Sequence, residues 1–418
     1  MQNCTGELNY RFLGVICDVS ANSNRVGRVF STTNHSTEPD ADMPLRDFLS
    51  ITWNHIQANL FPWLTEELGP LTDTHKQVIA TLELVRIETL MRDWPGLPGR
   101  PLRDRAALAR AFVAKAVMGL PTTSMLIERL AVDKRLRRLC GWERPGQVPS
   151  ESTFSRAFAE FATCELPSRV HEALIKRTHK DRLVGHISRD ATAIEAREKA
   201  VKVATPEMPK RKRGRPKNGV VVEKEPRRLE RQATMSLAEM LNDLPKHCAV
   251  GTKRNAKGYK TSWIGYKLHI DTADGDIPIT CLLTSASLHD SQVAIPLATL
   301  TAGRVTSLYD LMDSAYDAPE IAQRSHALGH VPIIDKNPRS APGKAEMEAE
   351  ARGRQIAGYK LAEQVRYNER SAAERVNARL KDEFGGRNVR VRGHAKVLCH
   401  LMFGVLALTC DQLMRLII

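Results

Sequence analysis

Two apolar runs, far apart in the chain, each end on an aspartate: Leu183-Val-Gly-His-Ile-Ser-Arg-Asp190 and Thr306-Ser-Leu-Tyr-Asp-Leu-Met-Asp313. Short apolar runs bounded by turn residues read as strands. Between them, Trp263–Ile270 and Ile277–Thr284 flank an Asp274-Gly275 turn and read as a hairpin, and Asp290 is placed to cap a helix reaching about Leu300. After Asp313 come a helix over Pro319–Leu328, a short strand Val331–Ile334, and two helices over about 361–384 and 394–417. Strands interleaved with helices in this way predict an α/β fold around a mixed sheet. Strand ends present side chains to a cleft. Two carboxylates on neighbouring strands repel each other unless cations bind between them, and Mg²⁺ suits hard oxygen ligands. A strand-end aspartate also caps a following helix, so the pattern alone leaves both readings open.

The chain ahead of these strands is helical, from about 47 to 180. Asp104 to Gly119 carries Leu108, Phe112 and Ala116 on one stripe; a second helix spans about Ser124 to Cys140 and ends at Gly141. A third follows Ser150, with Phe154, Ala157, Phe158 and Phe161 at i, i+3, i+4, i+7. Two helices joined by a short Gly- and Pro-bearing link fit a helix-turn-helix DNA reader or an ordinary bundle. Residues 1–46 read as a poorly organised extension. Residues 196–260 read as a basic, flexible insertion. Lys210, Arg211, Lys212, Arg213, Arg215 and Lys217 surround Gly214 and Pro216 there, fitting either an AT-hook in a narrow minor groove or a solvated charge run.

Charge narrows the class of partner. Lys and Arg number 62 against 48 Asp and Glu, a formal charge of +14, which favours a polyanion such as DNA. No uncharged apolar run is long enough to span a bilayer; Val397–Ile418 is interrupted by His400, Asp411 and Arg415 and reads as a buried helix. The eight cysteines form no Cys-x2-Cys pair, which argues against a zinc site or disulfide framework and fits a reducing cytoplasm. His269, His289 and Trp263 read as structural residues.

Tyr367, Arg370, Glu374 and Lys381 would fall within about 60° of one face of a continuous helix, with Val376 and Leu380 opposite. That stripe fits an acid completing a metal site flanked by phosphate donors. It equally fits an exposed face with an i, i+4 ion pair.

With these motifs in hand the sequence resembles a bacterial insertion-sequence DDE transposase carrying a Tyr-Arg-Glu-Lys signature. Arg189–Thr192 resembles the segment around the first acid, Gly265–His269 and Thr284–Asp290 the stretch between the acids, and Met312–Asp317 the segment around the second. The four stripe residues fit the signature. Arg138–Trp142 through Phe161 resembles the family's helical amino-terminal domain. Ser314-Ala315 stands where relatives often have Gly before the Tyr, and the extra length falls between Asp190 and Asp313 rather than after Asp313.

The resemblance implies an RNase H-like catalytic core over 181–418 after a helical DNA-binding domain at 47–180. It implies that Asp190, Asp313 and Glu374 hold two Mg²⁺ ions, with Mn²⁺ as a substitute, and that Tyr367, Arg370 and Lys381 contact DNA. The expected function is binding of terminal inverted repeats followed by metal-dependent cleavage and strand transfer of double-stranded DNA. A homodimer on DNA in the bacterial cytoplasm, at the nucleoid, is expected. The alternative is a catalytically inactive, transposase-derived DNA-binding regulator.

Overall fold

The computed structural model describes residues 43–91, 104–179, 182–201, 226–254, 258–338 and 341–417. The basic run Lys210–Lys217 and nearly all of the amino-terminal extension lie outside these residues. Eight α-helices come first: α1 (Leu45–His55), α2 (Phe61–Leu68), α3 (Asp73–Val85), α4 (Arg105–Val117), α5 (Thr123–Val132), α6 (Lys134–Cys140), α7 (Glu151–Thr163) and α8 (Leu166–His179). The helix expected over 124–140 is therefore two. Asp133 breaks it by capping α6, with Oδ1 accepting from the Leu136 amide at 3.0 Å and Oδ2 paired with His75 Nε2 at 2.9 Å. The basic residues of α6 are partly turned inward: Arg137 donates to the Leu130 and Ala131 carbonyls at the end of α5, and Arg138 to the Glu67 carbonyl.

The rest builds one six-stranded mixed sheet from β1 (Leu183–Glu195), β2 (Ala249–Arg254), β3 (Lys260–Ala273), β4 (Ile277–Ser285), β5 (Thr306–Met312) and β6 (Val331–Ile334), in the order β2-β3-β1-β5-β6 with β4 also on β3. β1 runs antiparallel to β3 and parallel to β5, and β5 parallel to β6. Flanking helices are α9 (Arg228–Gln232), α10 (Leu237–Asp243), α11 (Ser291–Ala302), α12 (Pro319–Ala327), α13 (Ala341–Ile356), α14 (Ala362–Tyr367), α15 (Ser371–Asp382) and α16 (His394–Arg415). A mixed sheet covered by helices is the arrangement expected of an RNase H-like core.

Three further expectations need correction. Residues 226–254, read as flexible insertion, fold: α9 and α10 lay Leu229 and Met240 on Ile295 and Tyr316, and β2 extends the sheet by pairing with 260–265. Asp190 is not at a strand end, because β1 runs five residues further while its other edge pairs with β3. The helix expected over 361–384 is interrupted by a 3₁₀ turn at Asn368–Arg370, so Tyr367 and Arg370 precede the α15 helix that carries Glu374 and Lys381.

The amino-terminal helices and the sheet share one hydrophobic core. α16, 22 residues long, is apolar enough to cross a membrane, yet 83% of its most apolar window is buried inside the protein. Phe403 on α16 lies 5.6 Å from Phe112 of α4, and Phe112 also meets Phe154, Phe158 and Phe161. The apolar face of α7 is spent on this cluster, leaving Glu151, Ser152, Ser155 and Arg156 outward.

Candidate active site

Parallel pairing of β1 with β5 ends at Ser188 opposite Leu311. Asp190 lies two residues beyond that last pair on β1, and Asp313 directly follows β5, close enough that each carboxylate feels the other's charge. Burial, reinforced by the negative charge of Asp313, lifts the Asp190 carboxyl to about 6, against the amide of Ala191 and the positive charges of Arg370 and Lys253. Asp313 caps the turn at Ser314–Tyr316, its Oδ1 accepting from the Ala315 amide at 2.9 Å.

Successive strand residues point to opposite faces, and β1 uses both. Arg189, fully buried, donates to Asp271 at 2.8 and 2.7 Å, and Thr301 of α11 donates to the same carboxylate at 2.6 Å. The next residue, Asp190, faces α15, where Asn377 Nδ2 donates to its Oδ2 at 3.0 Å. The 3₁₀ turn ahead of α15 is held to β1 by Ser188 Oγ donating to the Glu369 carbonyl at 3.1 Å.

α15 buries Val376 and Leu380 as expected and turns Glu374 outward. Glu374 is more than half exposed and accepts from Arg370 at 2.6 Å. Among the described residues, no three His, Cys, Asp or Glu side chains stand close enough to hold a metal ion. Burial disfavours the Arg370 charge, but Glu374, Tyr367 and Asp190 outweigh it and raise its pKa, so this guanidinium is the local counter-ion of the acids. Tyr367 is raised by burial and feels Asp335 and Asp313, which sets it on the β5 side of the gap. Lys381, lowered by burial and by Arg387, lies near Glu195 and Lys253, at the far end of α15. The acids at 190 and 313, Tyr367 and Arg370 are thus drawn together, Glu374 stands beside them on Arg370, and Lys381 is two helical turns off.

The donor set fits a divalent cation. Two nearby carboxylates supply hard oxygens, Asp190 held up by burial and by the charge of Asp313, and Asn377 Oδ1 is buried with no hydrogen-bond partner. Glu374 lies three residues before Asn377 on α15, exposed where Asn377 is buried. Sequence reasoning missed Asn377, which falls just beside the Tyr-Arg-Glu-Lys stripe. It also missed Lys253, because β2 lay in a stretch read as unstructured. Tyr316, whose buried hydroxyl has no partner, is held above its usual range by burial and by Asp290 and Asp190.

Residues 190–410, more than half of the chain, match the family described as Transposase DDE domain, a match that opens on Asp190 itself. The chain is an insertion-sequence DDE transposase. Residues 66–160 of the transposase match a second family, Transposase domain (DUF772), which takes in α3 to α6 and most of α7. No curated protein and no solved structure shows significant similarity to the transposase. Its family is one of nucleases and strand transferases that act on DNA. His269 and His289 keep structural roles: His269 Nε2 meets Thr284 Oγ1 at 2.9 Å and His289 Nδ1 meets Ser291 Oγ at 2.8 Å. Trp263 packs over Gly251, where a Cβ would sit 2.3 Å from the indole.

Proposed function

We propose that the transposase binds the terminal inverted repeats of its element and, with two Mg²⁺ ions or Mn²⁺ in their place, cleaves the ends and joins them to target DNA. The observation that carries this reading is the closeness of Asp190 to Asp313, with burial and that second acid raising Asp190 to about 6. Asp190 and Asp313 would hold the cations, with Glu374 joining them after release from Arg370. Bound divalent cations supply an acidified water or 3′-hydroxyl and charge neutralisation at the leaving oxygen. Arg370, freed in the same exchange, and Tyr367 would donate to non-bridging phosphate oxygens. Asn377 fixes the Asp190 carboxylate, and Lys381 and Lys253 carry positive charge along the path of the DNA. Two ends must be joined, so the reading includes a homodimer on DNA, acting at the bacterial nucleoid in the cytoplasm.

The test is incubation with linear DNA carrying the flanks of the reading frame, in Mg²⁺ or in EDTA. Nicks at the element boundary in Mg²⁺ alone are expected, lost in Asp190→Asn, Asp313→Asn and Glu374→Gln with DNA binding retained. Cleavage by Glu374→Gln at the wild-type rate refutes the assignment of that residue. A second reading, an inactive DNA-binding regulator, draws on the Arg370–Glu374 pair; wild-type binding without cleavage is the result it requires.

A further inference from the structure

A cavity of about 610 Å³ lies away from the carboxylates, where the amino-terminal helices meet the carboxyl-terminal segment. Its walls are the end of α4, the start of α5, the first turns of α7, and the loop from Phe384 to Arg392. Phe112, Phe158 and Phe403 form its floor. The lining is strongly one-signed: Lys115, Arg197, Arg390, Arg392 and Lys396 face a single carboxylate, Glu151.

Lys115 is the unusual member. It is only 8% exposed, and its ammonium makes no hydrogen bond or ion pair with any described residue. Burial lowers its ammonium to about 8, so the charge is held at a cost with no counter-charge on it among the described residues. His400 beside it is pushed down to about 4 by burial and by Lys115, is neutral, and reaches the Gly385 carbonyl at 3.0 Å, so it supplies no negative charge. Thr122 and Thr123, which open the ten-residue helix α5, also line the cavity, and a helix amino terminus favours an anion.

We propose that this cavity seats the sugar–phosphate backbone of DNA, one phosphate on Lys115 and its neighbours on Arg197, Arg390, Arg392 and Lys396. A polymer fits better than a small anion, because one cation is deep while Arg197, Arg390, Arg392 and Lys396 are exposed along the rim. The rim also continues a track from the active site. β1 leads from Asp190 to Glu195 and on to Arg197, and α15 leads from Glu374 past Lys381 to Phe384. Those paths span about 15–25 Å, or roughly four to seven base pairs at about 3.4 Å each. The inference rests on the proposed function for its ligand: the DNA that delivers its scissile phosphate to Asp190 and Asp313 is the strand gripped here.

The test uses the full-length chain and a random-sequence DNA duplex, with affinity measured across a salt series. Loss of one phosphate contact lowers the slope of log affinity against log salt by about 0.9. Arg390→Ala with Lys396→Ala should lower it by about 2 and Lys115→Met by about 1, with unchanged circular dichroism. The surface pair keeps the test decisive even where Lys115→Met fails to fold. An unchanged slope in the surface pair overturns the proposal. Saturable pyrophosphate binding that leaves DNA affinity untouched also overturns it, assigning the cavity to a small anion. A wild type that binds the duplex through this cavity but never cuts element ends sinks the catalytic reading and leaves the cavity assignment standing.

Discussion

Removing Arg189 is the perturbation whose size the structure sets most clearly. Its side chain is 1% exposed and its partner Asp271 0% exposed. The pair spans the register between β1 and β3, with two guanidinium bonds and one from Thr301 on the same carboxylate. Met replaces the Arg volume but leaves Asp271 charged and dry with Thr301 as its remaining donor. Breaking a buried pair from one side costs about 3–5 kcal/mol, a large share of the roughly 5–15 kcal/mol that separates native from unfolded chains. Replacing both partners by apolar residues of similar volume removes the stranded charge and is often near neutral. Arg189→Met should therefore lower the urea midpoint strongly, and adding Asp271→Val should restore most of it. Far-UV circular dichroism in urea measures both. A single variant that loses less than about 1 kcal/mol, or a double variant that loses the sum, refutes the claim that a desolvated charge pair anchors the strand under Asp190.

Acid should unfold the transposase early. Burial depresses His171 to about 3 and His179, His269 and His400 to about 4, from an ordinary 6.5. These groups are neutral in the fold, so their contribution is complete above pH 6.5 and is lost as pH falls toward 4; the four together cost about 8 kcal/mol at pH 5. A fluorescence midpoint near pH 5 is expected, and a fold intact at pH 4 contradicts the assignment. Gly404→Ala on α16 would place a Cβ 2.5 Å from the Phe384 carbonyl and 3.1 Å from Leu380, so urea should report a loss of about 1–3 kcal/mol. Gly353→Ala on exposed α13 meets nothing within 4 Å and should stabilise by up to about 1 kcal/mol, a matched control.

Much of this architecture was legible in residue order. The alternation of apolar strands with stripes such as Phe154, Ala157, Phe158 and Phe161 reports which face of an element is buried, and that depends on local spacing alone. The same holds for the hairpin around Asp274-Gly275, for α4 opening at Asp104, and for the inward turn of Val376 and Leu380. What spacing cannot report is the identity of the neighbour. β1 continues past Asp190 because β3 pairs with its other edge, a bond made with residues about 80 positions away. Two short helices and an edge strand form at 226–254 because α11 and β3 offer them apolar surface and unpaired amides. α16 belongs to the core of the amino-terminal helices although it closes the chain, since Phe403 completes the cluster around Phe112. Lys115 reads in sequence as one more cation on a helix; only the convergence of α4, α5, α7 and the loop before α16 leaves it largely buried and without a counter-charge among the described residues, in the wall of a basic cavity. Burial and charge coupling are properties of what surrounds a residue in space, and chain order encodes them only through the fold.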